Sequence, residues 1–204
     1  MSTSQAVMGT DGELRCRWCA AAPEFEAYHD KEWGFPVDDD VRLFEKLCLE
    51  GFQSGLSWRT ILAKRENFRH AFVGFDFHRV AQFDEKNVDR LLQDEGIVRH
   101  RGKIEAVIHN AGRAISLQAE CGSLAAYFWR FEVDPANAAQ PQTVSTSLEA
   151  AALSKDLKKR GWKFVGPTTV YAFMQAMGLV NDHVAACAIA NKVAQARLKF
   201  RKPT

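Results

Sequence analysis

Glu50 stands in the run Leu49-Glu50-Gly51-Phe52-Gln53-Ser54-Gly55-Leu56-Ser57-Trp58, at the end of a segment with apolar residues at helical spacing. A carboxylate there is costly to bury unless it is paired or used. Tyr28 and Trp33 lie upstream in Tyr28-His29-Asp30-Lys31-Glu32-Trp33-Gly34, and Trp58 follows. Aromatic rings around one acid suit a planar cationic ring such as a flipped base. The rings stack on its faces, and the carboxylate offsets its charge and accepts its N–H groups. The same residues also read as core aromatics beside a salt-bridged helix end, and the pattern alone leaves both open.

A second set of residues has metal-ligand chemistry. Cys16, Cys19 and His29 sit near one end of the chain, and His183 and Cys187 near the other. The spacing of His183 and Cys187 predicts two side chains on one face of a helix. Cysteine with histidine suits zinc in a closed, tetrahedral, four-ligand site, which stabilises a fold and leaves no position for water. Such a site would tie the chain ends across a loop of about 150 residues, where closure entropy is large. Spacing does not choose between Cys16 and Cys19. It also permits Cys187 as a small buried residue and the histidines as ordinary core groups.

A third segment, Gly161-Trp162-Lys163-Phe164-Val165-Gly166-Pro167-Thr168-Thr169, follows a basic stretch containing Lys158, Lys159 and Arg160. Gly166 permits a tight turn, and the unpaired N–H groups at a helix start near Thr168 can face a phosphate. A plain helix connector is the alternative.

The elements that must position these groups are helical. Asp38-Asp39-Asp40 can cap a helix bearing Leu43, Phe44, Leu47 and Cys48, and Ser57 can cap the next, while Gly51, Gln53 and Gly55 read as a loop. Asp84 precedes a helix ended by Gly96, and residues 101–120 carry a long apolar periodicity. Thr146 and Glu149 form a capping-box pattern before a helix ended by Gly161. Two more helices are predicted at about 168–178 and 182–198. Residues 134–145 read as a long loop, and alternating strand patterns are scarce. The expected fold is all-α, a compact two-lobed unit over residues 15–190, with a flexible leader at 1–14 and a basic tail at 191–204.

Of the 204 residues, 47% are hydrophobic and 25% charged, ordinary values for a globular protein. The formal net charge is only +2, but basic residues cluster at 99–103, at 155–163, and in an acid-free tail with Lys192, Arg197, Lys199, Arg201 and Lys202. Such clusters either track a phosphate backbone or form solvated helix faces. The first 15 residues lack an apolar core, and no apolar run approaches the roughly 18 residues needed to span a bilayer. A cytoplasmic protein without membrane contact is expected, its five cysteines serving as thiols or ligands.

Four ordered segments together resemble the DNA-3-methyladenine glycosylase I family of the helix-hairpin-helix glycosylase superfamily. They are Ala27 to Gly34; Leu49 to Trp58 with Lys64-Arg65-Glu66-Asn67; Gly96 to Ile104; and Leu157 to Gly161 continuing through Phe164-Val165-Gly166 to Gly178-Leu179-Val180-Asn181-Asp182-His183. The resemblance covers about residues 14–187. It implies a monofunctional glycosylase of base-excision repair that acts as a monomer on double-stranded DNA. The enzyme would hydrolyse the N-glycosidic bond of 3-methyladenine and leave an abasic site. It implies Glu50 as the acid that reads the base, within an aromatic pocket of Tyr28, Trp33 and Trp58. Leu56 would fill the gap left by the flipped nucleotide, and Lys163, Gly166 and Thr168 would meet the DNA backbone. A structural Zn2+ is implied on Cys16, His29, His183 and Cys187, which prefers Cys16 to Cys19.

Two other classes fit parts of the pattern. A zinc-stabilised module that binds damaged DNA without cutting would not need Glu50 in an aromatic pocket. A zinc hydrolase would need an open metal position, against the four-ligand set.

Overall fold

The computed structural model describes residues 5–204. Its only sheet among the described residues is a hairpin of β1 (Ala6–Met8) and β2 (Leu14–Cys16), paired antiparallel with Ala6 opposite Cys16. Ordered pairing therefore begins inside the stretch expected to be a flexible leader. Arg15 closes this end: its guanidinium is buried and bonds both Asp11 and Asp30.

Eleven α-helices follow among the described residues: α1 (Pro23–Lys31), α2 (Asp40–Gln53), α3 (Trp58–Ala63), α4 (Arg65–Ala71), α5 (Phe77–Val80), α6 (Glu85–Gln93), α7 (Arg101–Cys121), α8 (Leu124–Phe128), α9 (Leu148–Lys159), α10 (Pro167–Ala176) and α11 (Ala188–Lys199). The predicted caps at α2 and α3 are present. Asp39 accepts from the Arg42 N–H, and Ser57 from the Thr60 N–H. Asp84 begins α6 in a reciprocal box with Asn87.

α2 is the central element. Every residue from Leu43 to Phe52 is buried, so the helix is covered on all sides. It packs against α3, α7, α8 and α10. Buried side chains form one large contiguous cluster, not one core per lobe, and a small satellite of Cys19, Ala22 and Phe25 lies apart. No helix of the described residues is long and apolar enough to cross a membrane.

Four local expectations are corrected. Gly51 and Gln53, expected in a loop, belong with Glu50 to the last turns of α2, so only Ser54–Ser57 connect to α3. The cap of α9 is Ser147, whose hydroxyl accepts from the Ala150 N–H, not a Thr146–Glu149 box. The last helix starts at Ala188, not near 182. His183 therefore lies in an irregular segment, and Cys187 is the residue before the helix. The basic tail is helical to Lys199. Val193 is buried, and Glu132 pairs with both Arg197 and Lys202.

Candidate active site and metal centre

α1 and α2 carry the centre of a pocket of about 230 Å³. Tyr28, Trp33, Glu50 and Trp58 line it together, as the sequence suggested. Trp18, Gln53, Gln142, Ala172 and Gln175 complete the wall. The rings form a box. Tyr28 and Trp58 are tilted with centroids 5.4 Å apart, and Trp18 stands edge-on to Trp33 at 5.1 Å and to Tyr28 at 6.3 Å.

Glu50 is 5% exposed and has a partner that the sequence reading missed. Lys46, one turn earlier on α2, places Nζ 2.7 Å from Glu50 Oε1. The same ammonium donates to the Tyr28 hydroxyl at 2.8 Å and lies 3.3 Å from the Trp58 ring centroid. Burial pushes Lys46 below the usual lysine range, against the pull of Glu50. Burial, reinforced by the Glu50 charge, pushes the Tyr28 phenol well up.

The end of α2 is fixed from α7. Lys103 is buried and donates to the carbonyls of Phe52 at 2.8 Å and Ser54 at 2.5 Å, satisfying orphan acceptors of the helix terminus. Gly55 then turns with φ +79°, a conformation that suits glycine, and leaves Leu56 43% exposed. A cleft of about 310 Å³ runs from Leu56 to Thr168 and Thr169, and it shares Glu50, Gln53 and Ala172 with the pocket. The pocket thus opens into a groove edged by the start of α10.

Gly166 immediately precedes α10, and the first helical bond is from the Val170 N–H to the Gly166 carbonyl. The N–H groups of Thr168 and Thr169 therefore have no helical acceptor. The connection from α9 is held tightly. Asn110 bonds both the N–H and the carbonyl of Lys163, and the buried Ser154 hydroxyl donates to the Val165 carbonyl at 2.6 Å. Phe164 adopts φ +56°, strained for an aromatic residue, and packs over Gly51. The Lys163 side chain is exposed on this turn, outside the Leu56–Thr168 cleft.

Behind the pocket wall, Cys16, His29, His183 and Cys187 are all buried, with their ligand atoms within 4.8 Å of one another. Cys19 is not in the group. Cys16 Sγ to His183 Nδ1, Cys187 Sγ to His183 Nδ1 and Cys187 Sγ to His29 Nε2 are each 3.6 Å. Zinc bonds of about 2.3 Å to sulfur and 2.05 Å to nitrogen at a tetrahedral angle put S and N about 3.6 Å apart. The outer nitrogens also fit. His29 Nδ1 meets Asp30 Oδ1 at 2.6 Å, and His183 Nε2 meets the Trp33 carbonyl at 3.1 Å. These contacts leave Nε2 of His29 and Nδ1 of His183 for a metal. Cys187 is held far below the usual thiol range by hydrogen bonds from Cys16 and both imidazoles, and Cys16 is raised in return. Gly34, at φ +87°, has no room for a side chain, since a Cβ would meet His183 Nε2 at 3.0 Å.

The family model described as methyladenine glycosylase matches residues 18–191. The chain belongs to the methyladenine glycosylase family. It is 51% identical over 177 residues to DNA-3-methyladenine glycosylase 1 of Escherichia coli (strain K12), covering 85% of this chain and 95% of that one. It is 46% identical to DNA-3-methyladenine glycosylase of Haemophilus influenzae, covering 85% and 96%. Among solved structures, a 3-methyladenine DNA glycosylase I superposes with TM-score 0.78 at 47% identity, covering 85% of this chain and 98% of its own. A variant of a 3-methyladenine DNA glycosylase I in complex with 3-methyladenine superposes with TM-score 0.79 at 34% identity, covering 86% and 97%. The pocket and the Cys/His group of this family member both lie within or beside the matched residues.

Proposed function

We propose that this protein is a DNA glycosylase of base-excision repair that hydrolyses the N-glycosidic bond of 3-methyladenine. The observation that carries the reading is Glu50, a buried carboxylate inside an aromatic box that opens into a groove. The family membership and the relative solved with 3-methyladenine support the substrate.

Methylation at N3 gives the linked adenine a positive charge, so the base departs neutral and needs little acid catalysis. The protein extrudes the nucleotide, and Tyr28, Trp33 and Trp58 enclose its ring while Glu50 accepts its N–H groups. Water adds to C1′ of the sugar as the bond to the base breaks. The products are free base, an abasic site and one proton released to solvent. Leu56, at the groove edge, fills the space the nucleotide leaves. α9, its turn and α10 act as a helix-hairpin-helix element that grips double-stranded DNA. Lys163 supplies charge, while Gly166 and Thr168 bring backbone N–H groups to a phosphate. Cys16, His29, His183 and Cys187 would hold a structural Zn2+, which would cross-link the chain ends and, with four protein ligands, would take no part in the chemistry.

The test is release of free 3-methyladenine from methylated duplex DNA, with Glu50→Gln as control. Glutamine keeps an acceptor for Lys46, so the fold should persist. Base release should fall by roughly a hundredfold, the scale of losing one preorganised electrostatic contact. An unchanged excision rate would overturn the role of Glu50.

A further inference from the structure

Lys46 stands where a pocket for a cation should least want it. Its ammonium is 2.7 Å from Glu50 Oε1, 2.8 Å from the Tyr28 hydroxyl and 3.3 Å from the Trp58 ring centroid. These are the three groups that would tell a cationic ring from a neutral one: the carboxylate, a hydroxyl oxygen and an electron-rich ring face. One ammonium engages all three.

Its location fixes which face of Trp58 it covers. Tyr28 and Trp58 line both the base pocket and a second, smaller cavity behind it. Lys46 lines only the rear cavity, among Glu32, Arg42, Glu45, Arg65 and Arg69. The two aromatic rings form the partition, with the ammonium on the rear side and the base position in front. Lys46 is therefore not placed as a nucleophile toward the sugar. Glu32 pairs with Arg65, and Glu45 with Arg69, so both carboxylates behind the partition already have an arginine partner.

We propose that Lys46 is a positioning and specificity residue that orients Glu50 and lowers the pocket's preference for a cationic over a neutral methylated purine. The proposal rests on the reading that this pocket takes the base. A ring polarised toward a cation on one face has less to offer a cation on the other. A carboxylate paired at 2.7 Å likewise attracts a second cation less than a free one does. The consequence is a pocket that recognises ring shape and hydrogen bonding more than charge. Neutral methylated purines of the right shape enter it almost as readily as the charged lesion.

The experiment compares binding of two free ligands to the metal-loaded protein by calorimetry at pH 8. One is neutral 3-methyladenine, and the other is the permanently cationic 3,9-dimethyladeninium ion. Lys46→Gln removes the charge while its amide still donates to Glu50 and Tyr28. The ratio of cation affinity to neutral affinity should rise about tenfold over the parent, a shift of the size expected for one nearby charge in a partly desolvated site. Lys46→Arg should restore the parental ratio. A purely structural role would change both affinities together and leave the ratio unmoved, and that result overturns the proposal. Should Lys46→Gln fail to fold, Lys46→Met is read in the same way. Glu50→Gln and Trp58→Ala separate the two levels of failure. If they alter binding while the Lys46 variants do not move the ratio, the Lys46 role falls and the pocket stands. If they alter neither affinity, the pocket reading falls, and the Lys46 proposal with it.

Discussion

Tyr28 and His29 are consecutive residues of α1, yet Tyr28 faces the aromatic pocket while His29 joins the buried Cys/His group. Successive helical side chains diverge by about 100°, so one short helix separates the aromatic pocket from the Cys/His group. Trp33 repeats the link, because its ring lines the pocket and its carbonyl meets His183 Nε2 at 3.1 Å. The Cys/His group and the pocket are thus mechanically connected. The purified protein should carry one equivalent of zinc by metal analysis. His183→Ala should lose it, with an unfolding free energy lower by several kcal/mol, because the chain ends are no longer joined. Mild chelation should also weaken 3-methyladenine binding before secondary structure is lost, followed by titration alongside circular dichroism. A full zinc equivalent in His183→Ala would remove that ligand from the set.

Lys163 tests whether the turn before α10 meets DNA. Asn110 fixes its backbone from both sides, so truncating the exposed side chain should not disturb the turn. Lys163→Ala should weaken binding about uniformly across sequences and reduce the slope of log affinity against log salt by about 1, the signature of one lost phosphate contact. Equal slopes for variant and parent would place this turn away from the backbone.

How much of this arrangement could be read in advance differs by residue. Glu50, Tyr28, Trp33 and Trp58 stood out as an acid near an apolar helix end with aromatics nearby, but that pattern fitted a core as well as a pocket, and only the family resemblance chose the pocket. His183 and Cys187 do come together with Cys16 and His29, but not for the reason the spacing suggested. Helical periodicity suggested a shared face, whereas they converge through an irregular segment whose path is set by tertiary packing. Lys46 left a signal that was passed over, a cation four residues before Glu50, where side chains on one helix face meet. Gln142 and Gln175 left none. Gln142 reaches the pocket from the long loop by bonding Asp182 through both its N–H and its side chain, a contact no local pattern encodes. Thr146 and Ser147 offer similar capping hydroxyls, and only the backbone turn decides between them. In the tail, charge hid structure, because Val193 is buried by tertiary packing and Arg197 pairs with the distant Glu132.

Asp156 sets an acid limit on stability. Arg160 Nε donates to its carboxylate at 2.7 Å and the Tyr127 hydroxyl at 2.8 Å, tying α8 to α9. Chiefly through the Arg160 bond, its folded pKa lies below the ordinary 3.8. A depressed carboxylate stabilises fully above its unfolded pKa, and this contribution is lost as pH falls from about 3.8 through the folded value. Asp156→Asn should therefore be less stable than the parent at neutral pH, with the gap closing below pH 4. Urea midpoints measured across pH 2.5–7 check this, and a gap independent of pH would show that the charge contributes nothing.

Leu56 gives the sharpest separation between reading a base and exposing it. It is 43% exposed on a turn set by Gly55, at the rim of the groove that joins the pocket to α10. A large apolar side chain held outward there gains contacts only when DNA supplies them, by filling the space of an extruded nucleotide. Leu56→Ala should lower excision from methylated duplex by about tenfold, equivalent to roughly 1.4 kcal/mol of barrier. Affinity for free 3-methyladenine should stay at the parental value, because Leu56 does not line the pocket. Excision from methylated single strands should fall much less, since no stacked partner has to be replaced. Equal losses on duplex, single strand and free base would mean that the change reached the pocket itself, through the turn that Lys103 anchors at the end of α2.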